Sequence, residues 1–213
     1  DTLHPAAVLE LQRLPTGQAE DMLRFKIYTD GTGGSGDLPP AWAFAVLGYD
    51  GDDTCHFIGF MCGTLTQAGA FASGMDTLAN NGAEYAAVIW ASLWAMQTKA
   101  TRIDVITDSE LTIGMATSKF TPKVNQQASL LLSDIWFALS TAKTTTLQHV
   151  PSHTGDPWNE LADSIAALAS NGLTVRLPEK VKSSLTRTFF WKWAWVQLLS
   201  PAAAEAYPPP QAT

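Results

Sequence analysis

Between Phe25 and Leu65 the chain carries three apolar runs, FKIYTD, WAFAVLGYD and CHFIGFMCGTL, separated only by a glycine- and proline-rich stretch and by the turn GDD. Glycines 31, 33, 34 and 36 and the pair Pro39-Pro40 cannot sit in a regular ladder, so pairing is expected to stop after Asp30. Connections this short join antiparallel neighbours, because parallel strands need a crossover of a dozen or more residues. The first third of the chain therefore reads as an antiparallel meander. After Asn80-Asn81-Gly82 the period changes. Ala83, Ala86, Ala87, Ile89, Trp90, Leu93, Trp94 and Met96 crowd a helix, with Asn80 or Asn81 as its cap. RIDVITDS (102–109) is a short strand after that helix and so parallel to an earlier one. A short helix from Glu110, a longer one over 124–141 and a fifth strand from Thr145 follow. Asp156 caps a final helix that opens at Pro157 and buries Leu161, Ile165, Leu168 and Ala169. The order βββαβααβα describes one α/β domain over 24–171, a mixed sheet with helices to cover its faces.

At 213 residues the chain is long enough to bury a core without disulfides or structural metal. Twenty acidic against 13 basic side chains, a net charge of −7, exclude a generally basic nucleic-acid coat. No apolar run reaches the length of a membrane span, and residues 1–14 lack the basic start and apolar core of a secretion signal. An intracellular, cytoplasmic or nuclear setting is expected. Cys55 and Cys62 are too few for a zinc cluster, and whether they pair is open.

Two flanking segments differ from the domain. Residues 1–23 form an N-terminal leader with scattered leucines, expected to pack loosely. Residues 172–213 form a C-terminal extension in which the charge balance reverses: five bases and two acids lie within 176–213, against seven bases and fourteen acids in 24–171. Phe189, Phe190, Trp191, Trp193 and Trp195 crowd seven positions of it. Packing against the domain or a partner is the main expectation, with nucleic-acid stacking and membrane-surface contact as alternatives.

Four carboxylates stand where apolar elements meet polar ends: Asp30 after the first strand, Glu84 one turn into the first long helix, Asp108 after the fourth strand and Asp163 in the last helix. Singly, each has an ordinary explanation as a turn former, a helix cap, a charge near a favourable dipole or a solvated helix face. Together they form a pattern. If the first and fourth strands are parallel neighbours, Asp30 and Asp108 fall side by side at the carboxyl ends, where open sheets place ligands. Acids set among apolar residues need a partner, and nearby bases are few. Mg²⁺ prefers such oxygens, and two ions about 3.5 to 4 Å apart suit phosphodiester hydrolysis. His153, in the loop before the last helix, has an imidazole able to move a proton near neutral pH.

The ordered set YTDGTGG, NNGAEYAAVIWASL, VITDSELTIG and HVPSHTGDPWNELADSIA resembles the type 1 ribonuclease H family, including the versions attached to reverse transcriptases of retroelements. The resemblance implies a ribonuclease H-like mixed five-stranded sheet, its first three strands antiparallel, and a two-metal endonuclease that cuts the RNA strand of RNA/DNA hybrids. It makes Asp30, Glu84, Asp108 and Asp163 the metal-binding carboxylates, with one Mg²⁺ among Asp30, Glu84 and Asp108 and a second between Asp30 and Asp163. Mn²⁺ would fit the same oxygens. His153 matches the mobile-loop histidine assigned to water handling or product release. Asn81 and Ser109 match positions that contact the hybrid backbone. Gly31 and Asn159 join them as substrate-contact positions, Asn159 also ordering the helix start or metal shell. The loop GSGDLPPA is longer than a tight hairpin, and only Lys119 and Lys123 lie between Gly114 and Val124, where some relatives carry a basic grip. The missing grip is expected from the extension or from a reverse transcriptase domain in the same or a longer chain. A catalytically idle platform and a nuclease acting on DNA alone are the competing readings.

Overall fold

The computed structural model describes residues 3–65, 80–175 and 177. Its elements, in chain order, are α1 (Pro5–Arg13), β1 (Arg24–Thr32), β2 (Ala41–Tyr49), β3 (Cys55–Thr64), α2 (Asn80–Met96), β4 (Arg102–Thr107), α3 (Glu110–Ala116), α4 (Gln126–Ala142), β5 (Thr144–His149) and α5 (Pro157–Ser170). Five strands form one sheet in the order β3-β2-β1-β4-β5. The β1–β2 and β2–β3 pairs are antiparallel, and the β1–β4 and β4–β5 pairs are parallel. The mixed sheet expected from the sequence is therefore present, with helices on both faces.

Side-chain volume on β2 sorts the two faces. Trp42, Phe44 and Val46 point to one side and join Trp90, Leu93 and Trp94 of α2 and Leu132, Ile135 and Leu139 of α4. The Trp42 and Trp90 rings stack at 5.0 Å between centroids. Ala41, Ala43 and Ala45 point the other way, and against them lie Leu161, Ile165, Ala166 and Ala169 of α5 and Ala7 of α1. Successive residues of a strand face opposite sides, so a large-small alternation admits two aromatic-rich helices on one face and lets α5 approach closely on the other. Leu161, Ile165 and Ala169 are buried as expected, whereas Leu168 is only partly so.

Two expectations change. Pairing does not stop at Asp30: Gly31 pairs with Trp42 and Thr32 with Ala41, because β2 still offers extended partners there. The leader is packed, with Ala7 fully buried and the His4 N–H donating to Ser164 Oγ at 3.1 Å. Its end lies along β3, the Phe57 N–H donating to the Pro15 carbonyl at 2.9 Å and the Gly17 N–H to the Phe57 carbonyl at 3.1 Å. At the other end of that outer edge, Val175 bridges Cys62. Cys55 and Cys62 are not joined in a disulfide and stand near opposite ends of β3. Seven residues of strand span roughly 23 Å, far beyond disulfide reach. The expectations for the aromatic cluster at 189–195 lie outside the described residues. Among those residues, no helix is long and apolar enough to cross a membrane.

Gly31 sets how near α2 comes to β1. A Cβ at this position would lie 2.4 Å from the Glu84 backbone nitrogen and 2.5 Å from the Ala83 carbonyl carbon. Both obstacles are backbone, so neither can swing aside. Gly31→Ala is therefore expected to destabilise the fold by about 1–3 kcal/mol, the usual range for overpacking, measured by urea unfolding at equilibrium. A loss below a few tenths of a kcal/mol would show that α2 has room to retreat.

Candidate active site

The parallel register of β1 and β4 brings two aspartates together. Thr29 pairs with Thr107, so Asp30 and Asp108 follow at the same level of the sheet. Alternation puts both on the face that carries Tyr28, Ile106 and Ala162, the face covered by α5 and its Asp163. From the opposite face α2 delivers Glu84 through the gap left by Gly31. Asp30, Glu84 and Asp108 each offer a carboxylate oxygen, and these oxygens lie within 4.8 Å of one another. Asp163 lines the same cleft of about 400 Å³, together with Gly31, Ser109, His153, Asn80, which the sequence offered only as a helix cap, and two residues it did not single out, Thr32 and Ser152.

Two expected residues stand elsewhere. Asn81 is exposed and outside the cleft wall, which takes Asn80 instead. One helical residue turns the side chain by about 100°, which separates the two. Asn159 is 2% exposed, and its Oδ1 is buried without a hydrogen-bond partner. Its N–H, like that of Trp158, donates to Asp156 Oδ1, so Asp156 caps α5 as the sequence indicates. Ser109 caps α3: its hydroxyl oxygen accepts from the Thr112 N–H at 3.1 Å and from Thr112 Oγ1 at 2.8 Å. With both acceptor positions used, its own proton is left to donate into the cleft.

His153 adopts a left-handed backbone, φ 52°, uncommon for a residue with a side chain. One of its ring nitrogens lies within 4.8 Å of carboxylate oxygens of Glu160 and Asp163. Glu160 was not foreseen, although it stands in the quoted run WNELAD. His149 reaches across to the end of β4, where its Nε2 lies 3.2 Å from the Asp108 carbonyl oxygen.

Burial and mutual repulsion dominate the electrostatics. Asp30 and Glu84 are each 4% exposed. Burial pushes the Asp30 carboxyl well above the usual carboxylate range, helped by the charges of Glu84, Asp108 and Asp163, while the Gly31 N–H, 2.8 Å from Asp30 Oδ1, pulls it down. Burial likewise raises Glu84, reinforced by Asp108 and opposed by hydrogen bonds with Asp30 and Gly31. Glu84 Oε2 is buried with no hydrogen-bond partner, and among the described residues no lysine or arginine lines the cleft. An all-oxygen donor set with an unsatisfied buried oxygen and no competing base suits a hard divalent cation. The residues present therefore fit the metal that the sequence resemblance implies.

The sign of the pH dependence follows. Without metal the folded state keeps protons on Asp30 and Glu84 that the unfolded chain has released, so these groups cost stability as the pH rises from about 4 through the neutral range. Asp30→Asn or Glu84→Gln is expected to raise the melting temperature in chelator at pH 8, by about 2–4 °C per kcal/mol of repulsion removed, and to shrink the further rise that Mg²⁺ gives the wild type. Melting curves with and without Mg²⁺ at pH 5 and pH 8 check both effects. Equal melting temperatures for variant and wild type at pH 8 would contradict them.

The RNase H family profile matches residues 24–171, the whole five-stranded sheet with α2 to α5. A search of curated proteins finds no match. Among solved structures, the fold is similar to RNase H1 from the halophilic archaeon Halobacterium salinarum NRC-1, with 24% identity over 70% of this chain and 99% of that one and a TM-score of 0.51. It is also similar to LC9-RNase H1, described as a type 1 RNase H with the type 2 active-site motif, with 17% identity over 86% of this chain and 85% of that one and a TM-score of 0.54. The family match covers the cleft and every carboxylate in it: this chain belongs to the RNase H family and is a ribonuclease H.

Proposed function

We propose that the chain is a divalent-metal-dependent endonuclease that hydrolyses the RNA strand of RNA/DNA hybrids, leaving 5′-phosphate and 3′-hydroxyl ends. The observation that carries this reading is the gathering of Asp30, Glu84 and Asp108 oxygens within 4.8 Å beside Asp163, with no base among the described residues that line the cleft. Asp30, Glu84 and Asp108 would hold one Mg²⁺ or Mn²⁺, and Asp30 with Asp163 a second. Divalent cations bound there supply polarisation of the attacking water and neutralisation of the departing 3′ oxygen.

The remaining steps belong to the chain's own residues. The Ser109 hydroxyl, free to donate, holds a backbone phosphate. Gly31 lines the cleft beside Asp30 and offers its backbone to the substrate, the space a side chain would take being filled by α2. His153 sits at the cleft mouth on the β5–α5 loop and moves a proton at its imidazole as the product leaves. Discrimination rests on 2′-hydroxyls read across a shallow minor groove, so base sequence matters little. Asn81 and Asn159 act from outside the cleft wall, the first on the hybrid backbone at the helix N-terminus and the second on the start of α5.

A retroelement polyprotein is the setting we infer, with a reverse transcriptase domain in the same or a longer chain and an intracellular, cytoplasmic or nuclear location. The sequence resemblance supports it, as does the presence of only Lys119 and Lys123 where a basic grip would stand. Charge-poor surroundings leave substrate capture to the metals and to a partner.

Asp108→Asn keeps the size of the side chain and removes its charge. Near-complete loss of cleavage of a labelled RNA/DNA hybrid in Mg²⁺, with folding retained, is expected, and RNA/RNA and DNA/DNA duplexes are expected to stay intact with the wild type. Equal rates for wild type and variant would reject the assignment. His153→Ala is expected to slow turnover by about 10², the lower range for a positioned proton-transfer group, as read in steady-state assays. Complete inactivity would give His153 an obligatory role instead.

A further inference from the structure

The β5–α5 connection is fastened to the end of β4 at three points. The Val150 N–H donates to the Thr107 carbonyl at 3.0 Å, His149 Nε2 meets the Asp108 carbonyl oxygen at 3.2 Å, and the Ser152 hydroxyl donates to Asp108 Oδ2 at 2.8 Å. Of these, the Ser152 bond alone reaches a carboxylate of the cluster. Asp30 and Glu84 are held by the packing around them, but Asp108 is the half-buried member of the three. It lies one residue beyond β4, past the end of the strand pairing, and is only partly buried. A hydroxyl proton on one oxygen sets the plane of such a carboxylate, and ligand carboxylates are commonly oriented by a partner of this kind. Ser152 also immediately precedes His153, whose left-handed backbone fixes the direction in which the loop continues.

We propose that Ser152 is a positioning residue: its hydroxyl fixes the Asp108 carboxylate in the plane where it meets Asp30 and Glu84, and by the same bond seats the loop that brings His153 to the cleft. Cation binding and the proton-moving side chain are thereby assembled through one hydrogen bond. The inference rests on the reading of the carboxylate cluster as the cation site. It distinguishes Ser152 from its neighbour, because His153 acts on turnover alone whereas Ser152 acts on the affinity for the cation.

The test is calorimetric titration of the metal-free full chain with Mg²⁺, for wild type, S152A, S152T, H153A and D108N, with melting temperatures taken in chelator. Ser152 is exposed, so S152A is expected to melt with the wild type while binding Mg²⁺ about tenfold more weakly, the lower range for loss of an orienting partner. S152T is expected to restore the affinity and H153A to leave it unchanged. Wild-type affinity in S152A, or a loss that S152T does not repair, would overturn the inference. The reading beneath it fails separately, through the wild type: no Mg²⁺ binding, or binding that survives D108N unaltered, would remove the cation site and the role of Ser152 with it.

Discussion

Parallel pairing of β1 with β4 is the constraint from which the rest of the molecule follows. Two strands that run the same way and stay in register end together, so the residues after Thr29 and Thr107 share a level and a face. Every other feature of the cleft is an accommodation to that meeting. Gly31 lacks a side chain so that α2 can bring Glu84 to it, and the alanines of β2 let α5 lie near enough for Asp163 to join. The large aromatic core on the α2 face, with Trp42, Phe44, Trp90 and Trp94, holds these elements against a cluster of like charges that would otherwise separate.

Asp104 shows what the same strand does with a carboxylate that has only a structural part. It is fully buried, and burial pulls its pKa up. Yet the Thr146 hydroxyl at 2.7 Å, the Arg24 guanidinium at 2.8 Å and the charge of Arg102 more than compensate and hold it below the usual range. Four residues later Asp108 stands in a cleft that no cation lines among the described residues, and Asp30 and Glu84 face each other and a backbone N–H. Two acids four residues apart thus differ in whether the described residues complete their surroundings, and the incomplete set is the one at the carboxyl ends.

Much of this was legible in the sequence because the signals were local. Apolar runs cut by glycine and proline gave the meander, and the change of period at Ala83 gave α2. Asp30, Glu84, Asp108 and Asp163 each stood out as an acid in the wrong company for its element. Other features depend on distances that no short window contains. Gly31 reads as a strand breaker until α2 is seen lying against it, and the loose leader becomes a packed one only when Phe57 offers its edge. Ser152 and Glu160 carry no local mark, and Asn80 read as a helix cap no better than Asn81 until the rotation of one residue around the helix set it in the cleft wall.

The outer edge of β3 meets Pro15–Gly17 at one end and Val175 at the other, both outside the 24–171 span of the family match. An uncovered strand edge is a template on which another chain can add. A fragment trimmed to 24–171 would keep every carboxylate of the cleft yet present a bare row of amides and carbonyls. Its weakness would then be self-association rather than a loss of carboxylates, since Pro15–Gly17 and Val175 are what covers that edge among the described residues.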